Sequence, residues 1–129
     1  IRTRNALLLT EALSDLPTVR VPLPPEHLTH AWYKFYAFAQ PEALADGWSR
    51  DRILSEIAAL GYPALSGSCS EIYLEKCFHD TGLAPAERLP VARELGETSL
   101  MFLVHPTITP EQMAGYAEAV SSVVKRACR

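Results

Sequence analysis

Aromatic residues are densest between His30 and Phe38, where the chain reads HAWYKFYAF. A two-residue repeat divides this segment into two faces. One face carries Trp32, Lys34, Tyr36 and Phe38, and the other carries Tyr33, Phe35 and Ala37. Because aromatic residues favour strands and no Gly or Pro interrupts the run, the pattern predicts a strand buried on both faces. Such a strand lies in the middle of a sheet, so other segments must provide its neighbours.

Apolar residues three and four positions apart predict three main helices. The first covers Arg2–Leu16, and the second begins after Ser49, a suitable N-cap, and ends at Gly61. The third begins with a capping box at Thr109 and continues to the end of the chain. Two shorter helices are predicted at Glu71–His79 and Leu89–Leu95.

Three further segments have the sequence of strands. They are Thr18–Leu23, Tyr62–Leu65 and Thr98–Val104. Prolines restrict the first to a sheet edge, whereas the last is continuously apolar and is predicted to be central. The order of elements predicts an α+β fold. We expect a small open-faced sandwich of about three mainly antiparallel strands covered by helices, with the C-terminal helix packed on the sheet.

The composition is that of one globular domain, with 129 residues, 48% apolar and 21% charged. A net charge of −3 argues against nucleic acid as a partner. No apolar run approaches the roughly 20 residues of a membrane span, so no membrane partner is predicted. The three cysteines form no CxxC motif, which suits a reducing compartment and predicts a cytoplasmic protein. The chain begins at Ile1, without Met, so we expect it to be a piece of a longer protein.

Few residues form a pattern typical of catalysis or metal binding. The four histidines lack the spacing of a metal site, and no metal is predicted. Phosphate-binding glycine motifs and a nucleophile elbow are also missing. Glu71 and Glu75 are interpreted as a solvated face, and Cys69 and Cys77 as incidental residues rather than nucleophiles. The small polar loop Ser66–Ser70 exposes backbone amides to a ligand or to water.

An ordered set of short motifs extends the interpretation. It comprises His30-Ala31-Trp32-Tyr33, Ser49-Arg50-Asp51, Leu60-Gly61, Leu89-Pro90-Val91-Ala92-Arg93-Glu94-Leu95, Ser99-Leu100 and His105-Pro106-Thr107-Ile108-Thr109. In this order, over about 100 of the 129 residues, the chain resembles the C-terminal small domain of the DegT/DnrJ/StrS-type sugar aminotransferases. These are pyridoxal-phosphate (PLP) enzymes of fold type I.

The resemblance implies a domain organisation. Residues 1–16 correspond to a linker helix from a large domain, and residues 17–129 correspond to the small domain. In the family the Schiff-base lysine and the other PLP-binding groups lie in the large domain, and Lys34, Lys76 and Lys125 match no such lysine. The resemblance therefore implies that this chain has no catalytic residue and binds no PLP alone. The missing large domain of the same chain would hold PLP.

The resemblance also implies substrates and partners. The parent would be a homodimer that transfers an amino group from an amino-acid donor to a keto-sugar nucleotide, in amino-sugar biosynthesis. The predicted substrate-side residues are His30, Tyr33, Ser66, Gly67, Ser68 and Cys69. The segment Leu65–Tyr73 departs from the family, which commonly has a Tyr-Pro-containing loop leading to a His, so the contacts of that loop are not transferred. The alternatives are a free-standing α+β module that binds a ligand or dimerises, and an interaction domain of an unrelated protein.

Overall fold

The computed structural model describes residues 1–129 as four α-helices and one three-stranded sheet. The helices are α1 (Arg2–Leu13), α2 (Arg50–Ala59), α3 (Pro90–Thr98) and α4 (Pro110–Arg126). The strands are β1 (Val19–Arg20), β2 (Phe35–Ala39) and β3 (Ser99–Phe102). Their order is β1-β2-β3 and both pairs are antiparallel. The predicted α+β fold is therefore confirmed, with β2 in the middle of the sheet.

The aromatic segment supplies the central strand, but the strand is shorter than predicted. It begins at Phe35 instead of His30, because Trp32 has a left-handed backbone with φ +47° and interrupts the extended conformation. The imidazole Nδ1 of His30 accepts a hydrogen bond from the backbone N–H of Trp32 at 3.0 Å. The indole ring stacks on Phe35 with centroids 5.9 Å apart. This kink leaves Tyr33 74% exposed, although the two-residue repeat predicted it to be buried.

Only one face of β2 is fully buried. Phe35, Ala37 and Ala39 lie in the core, whereas Tyr36 and Phe38 are half-buried on the opposite face. The prediction of burial on both faces was wrong for that second face, which we call the outer face. Tyr36 suits such a position, since its ring packs while its hydroxyl reaches the surface.

Strand β3 was predicted to lie in the centre of the sheet. It lies at an edge instead. Its four residues are all buried, which explains the continuous apolar sequence. Leu65 covers its free side at one point, where the backbones of Leu65 and Met101 exchange hydrogen bonds of 3.1 and 2.7 Å. The strand predicted at Tyr62–Leu65 is therefore a single bridge.

Helices α1, α2 and α4 cover the inner face of the sheet. The ring of Tyr116 in α4 meets Phe102 of β3 edge-on, with centroids 6.1 Å apart, so the C-terminal helix packs on the sheet as predicted. The fully buried Asn5 connects α1 to the segment after β3, because its amide donates to the carbonyls of Val104 and His105 at 3.4 and 3.3 Å.

Capping residues place the starts of α2 and α4 where the sequence predicts them. Ser49 Oγ accepts a hydrogen bond from the N–H of Arg52 at 3.2 Å. At α4, Thr109 and Gln112 exchange both hydrogen bonds of the capping box, at 3.2 and 3.0 Å. These signals are local in sequence, so they succeed without knowledge of the tertiary fold.

The helix predicted at Glu71–His79 is wrong. The segment forms two 3-10 turns, Ile72–Leu74 and Lys76–Phe78, and Ile72 and Leu74 are exposed instead of packed inward. An isolated helix this short is unstable without an apolar face to bury, and here the side chain of Glu71 takes the buried position. Elsewhere, none of the helices combines the length and the apolar character that crossing a membrane would require.

Candidate functional site

The loop Ser66–Cys69 lies against the outer face of β2. Tyr36 carries the contact, because its hydroxyl forms a hydrogen bond of 3.2 Å with Ser68 Oγ. Gly67 has φ +94°, and a Cβ added there would lie 2.7 Å from Cε1 of the Tyr36 ring, so only glycine allows this approach. Ser99 of β3 donates a hydrogen bond to the carbonyl of Ser66 and fixes the start of the loop.

Two small depressions lie side by side on the outer face, with Tyr36 lining both. The first has a volume of about 250 Å³ and contains His30, Trp32, Lys34 and Tyr36 beside the proline-rich segment Pro22–Pro24. The second has a volume of about 200 Å³. Its lining includes Tyr36, Phe38, Ser68, Cys69, Ser70, Leu95 and Ser99.

The structure thus brings together most of the predicted substrate-side residues. His30 and the loop Ser66–Cys69 lie on either side of the Tyr36 ring. Tyr33 stands apart on the surface, where its ring centroid is 5.6 Å from Lys34 Nζ. Whether these residues contact a substrate stays a prediction.

Tyr36 and Lys34 were missing from the predicted site, although they form its centre. The signal was present, since the two-residue repeat places Lys34 and Tyr36 on the same face. Because that face was interpreted as buried, Lys34 was expected only to extend its ammonium group to water. Its position beside Tyr36 was therefore not considered as part of a site.

A cluster of polar side chains ties the two ends of the loop between Ser70 and Leu89. The buried carboxylate of Glu71 accepts hydrogen bonds from both Arg88 Nε, at 2.8 Å, and the hydroxyl of Tyr73, at 2.7 Å. Arg88 Nη2 binds the second carboxylate oxygen, and the Tyr73 hydroxyl accepts from the N–H of Leu89 at 2.9 Å. The interpretation of Glu71 as part of a solvated face was therefore wrong.

The Arg88 hydrogen bonds, and after them the Tyr73 hydroxyl, hold the pKa of Glu71 at about 2. Since the pKa is lower in the folded chain, this carboxylate stabilises the fold fully above pH about 4.5, its ordinary value, and the contribution is lost as the pH falls toward 2. We expect Glu71→Gln to be less stable than the wild type at pH 7, with a difference that disappears near pH 2. Urea denaturation across this range, combined with hydrogen exchange of residues 72–89, measures the effect.

The exposed Glu118 provides the matched control. Glu118→Gln should leave stability and exchange unchanged at every pH, since nothing in the structure pairs with that carboxylate. If Glu71→Gln lowered the free energy of unfolding equally at pH 7 and near pH 2, the loop would not depend on the charge of Glu71.

Cys69 is poorly suited to nucleophilic catalysis. Its thiol donates a hydrogen bond to a carboxylate oxygen of Glu75 at 3.4 Å, and this contact raises the pKa of the thiol. The reactive thiolate is therefore disfavoured. No group of three or more His, Cys, Asp or Glu side chains is arranged to hold a metal ion.

The lysines of this chain do not fit PLP. The cofactor needs a lysine for its Schiff base and a carboxylate beside its pyridinium nitrogen. Lys34 lies in a depression that contains no carboxylate, and Lys76 and Lys125 are exposed on the surface. We therefore derive no step of PLP chemistry from these residues.

The fold and the outer face define a small α+β domain that exposes hydroxyl, imidazole and ammonium groups beside its central strand. No family model matches the chain, and no curated protein matches it. Solved structures do match. An aminotransferase from Psychrobacter cryohalolentis is 46% identical over 98% of this chain and 34% of that chain, with a TM-score of 0.93.

Two more distant structures share the fold. A DegT DnrJ EryC1 StrS aminotransferase from Brucella abortus is 23% identical over 94% of this chain and 30% of its own, with a TM-score of 0.73. DesI, determined in the presence of its TDP-sugar product, is 21% identical over 97% of this chain and 31% of its own, with a TM-score of 0.76. The chain spans about a third of the length of these proteins. It is similar in sequence to part of an aminotransferase, and it shares its fold with a DegT DnrJ EryC1 StrS aminotransferase, the family that the motif order resembles.

Proposed function

We propose that this chain is the C-terminal small domain of a PLP-dependent aminotransferase that acts on keto-sugar nucleotides. The observation that carries the proposal is the 46% identity with an aminotransferase over 98% of the chain. Residues 1–16 would lead from a large domain, with α1 ending at Leu13 instead of the predicted Leu16, and residues 17–129 would form the small domain. A sugar-nucleotide substrate is supported by the similar fold of DesI, whose structure was determined in the presence of its TDP-sugar product.

In this proposal the large domain supplies PLP and the chemistry of amino transfer. The present chain supplies groups that bind and orient the substrate, namely the imidazole of His30 and the hydroxyls of Tyr33 and Ser68. The positions of His30 and Ser68 on either side of Tyr36 in the central strand support this role, because binding groups work best on regular elements of the fold. The amino donor would be an amino acid such as glutamate, and the longer protein would be a homodimer. The free cysteines suit the reducing cytoplasm that we propose as its compartment.

The test compares the longer protein that contains this chain with the 129-residue chain alone. Both are supplied with PLP, glutamate and a panel of keto-sugar nucleotides. The longer protein should produce an amino-sugar nucleotide, whereas the isolated chain should show neither turnover nor the absorbance of an internal aldimine. If the isolated chain formed a stable aldimine that disappeared when one of its lysines was replaced, the proposal would be wrong. A PLP-loaded longer protein that transfers no amino group to any keto-sugar would contradict it equally.

A further inference from the structure

The guanidinium group of Arg50 joins the start of α2 to the junction between α3 and β3. Its Nη1 donates hydrogen bonds of 3.1 Å to two carbonyls, those of Gly96 in α3 and Ser99 in β3. Its Nε donates to Asp51 Oδ1 at 2.7 Å, so the planar group is held on two sides. The Arg50 side chain is only 16% exposed, whereas that of Arg52 in the same helix is 47% exposed. Arg50 is therefore part of the packed structure and not a surface charge.

The junction needs such a partner because α3 continues into β3 without a loop. Helix α3 ends at Thr98, and β3 begins at Ser99. The last four carbonyls of a helix have no partner within the helix, and the carbonyl of Gly96 is one of them. A cation at this end also interacts favourably with the helix dipole. Arg50 thus fixes the end of α3 and the start of β3 together.

The same two residues hold the small polar loop Ser66–Ser70 at its two ends. At the first end, the hydroxyl of Ser99 donates a hydrogen bond to the carbonyl of Ser66. At the other end, Ser70 packs directly on the helix backbone at Gly96. A Cβ added to Gly96 would overlap Ser70 Oγ and lie 3.4 Å from Ser70 Cβ. The position of the loop therefore depends on the junction that Arg50 fixes.

We propose that Arg50 and Ser99 are positioning residues for the substrate of the longer protein, and that they act through the loop Ser66–Ser70. This inference rests on the proposed function, in which Ser68 of that loop binds the sugar nucleotide. Between the two fixed ends, Ser68 is held by its hydrogen bond to the Tyr36 hydroxyl. Because a small displacement of a binding group weakens its contacts, release of either end of the loop weakens substrate binding.

The test uses two variants that release the loop in different ways. Ser99→Ala removes the hydroxyl that binds Ser66, and Arg50→Gln removes the guanidinium that fixes the junction. In the 129-residue chain, both should shift the amide NMR resonances of residues 66–70. In the longer protein, Ser99→Ala should raise KM for the sugar nucleotide roughly three- to tenfold, the effect of one lost hydrogen bond, with a smaller change in kcat. Arg50→Gln should raise KM at least as much, because it affects both ends of the loop.

Each variant has a control that makes the same change elsewhere. Ser121→Ala replaces a serine of α4 that is buried as deeply as Ser99. Arg52→Gln removes the exposed guanidinium in the first turn of the same helix. Both controls should leave the resonances of residues 66–70 and KM unchanged. A purely structural role of Arg50 would lower the melting temperature and the active fraction of the enzyme, and hence the apparent kcat, but it would not change KM.

Unchanged loop resonances in both Arg50→Gln and Ser99→Ala would contradict the inference. Shifted resonances at unchanged KM would contradict it too, because the loop would then be held for a reason other than substrate binding. If Arg50→Gln does not fold, Ser99→Ala alone decides, since it removes only one hydroxyl. The proposed amino transfer is tested separately, by the turnover of the unmodified longer protein, so its failure is distinguishable from the failure of this inference.

Discussion

Replacing Phe35 with alanine is expected to lower the free energy of unfolding by about 3–5 kcal/mol, the usual sum of lost burial and a residual cavity. Phe35 is fully buried at the start of the central strand. Its ring lies 5.9 Å from that of Trp32 and 6.4 Å from that of Phe102, so it joins the kinked segment to the neighbouring strand. Trp32→Ala should have a similar effect, since Trp32 is only 8% exposed. Urea denaturation followed by circular dichroism measures both.

Phe78 is the matched control for this experiment. It lies on a 3-10 turn outside the core, so Phe78→Ala should cost less than about 1 kcal/mol. If Phe35→Ala and Trp32→Ala unfold at the same urea concentration as the wild type, β2 is not the centre of the fold.

Much of the fold follows from patterns that are local in the sequence. Helix starts and ends are predicted from a few adjacent residues. Examples are the capping residues Ser49 and Thr109 and the helix end at Gly61, which has φ +86°. Helix α3 begins at Pro90 as its sequence predicts, because proline suits the first helical turn. The central position of β2 could also be inferred, from the density of its aromatic residues.

The failures involve contacts between distant residues. The burial of Glu71 depends on its pairing with Arg88, 17 residues later, and no local sequence pattern predicts that pairing. The order of the strands depends on pairing between segments far apart, so the apolar run of β3 was taken for a central strand. It lies at an edge that Leu65 covers.

The candidate site was predicted in part. The motif order indicated a resemblance to a family, and the small polar residues indicated the loop Ser66–Cys69, but neither revealed that Tyr36 joins this loop to His30. That connection depends on the kink at Trp32, and a left-handed tryptophan is rare enough that a regular strand was the better expectation.

Substrate-side variants of the longer protein should lose activity without losing stability. Tyr33 and Ser68 are exposed, so Tyr33→Ala and Ser68→Ala are expected to change the melting temperature little. Each should lower kcat/KM for the sugar nucleotide roughly three- to tenfold, the effect of one lost hydrogen bond. His30→Ala should lower kcat/KM similarly. It should also reduce stability, because the hydrogen bond to Trp32 N–H is lost.

The central claim is that the outer face of this domain contacts the substrate, and the kinetics of these three variants test it most directly. The measurement is kcat/KM for the sugar nucleotide, determined beside the melting temperature, with Ser122→Ala on the exposed surface of α4 as the control. The proposal predicts reduced kcat/KM for Tyr33→Ala and Ser68→Ala at unchanged melting temperature, and no change for Ser122→Ala. Unchanged kinetics for all three substrate-side variants, with stability intact, would mean that the domain only supports the site and makes no contact with the substrate.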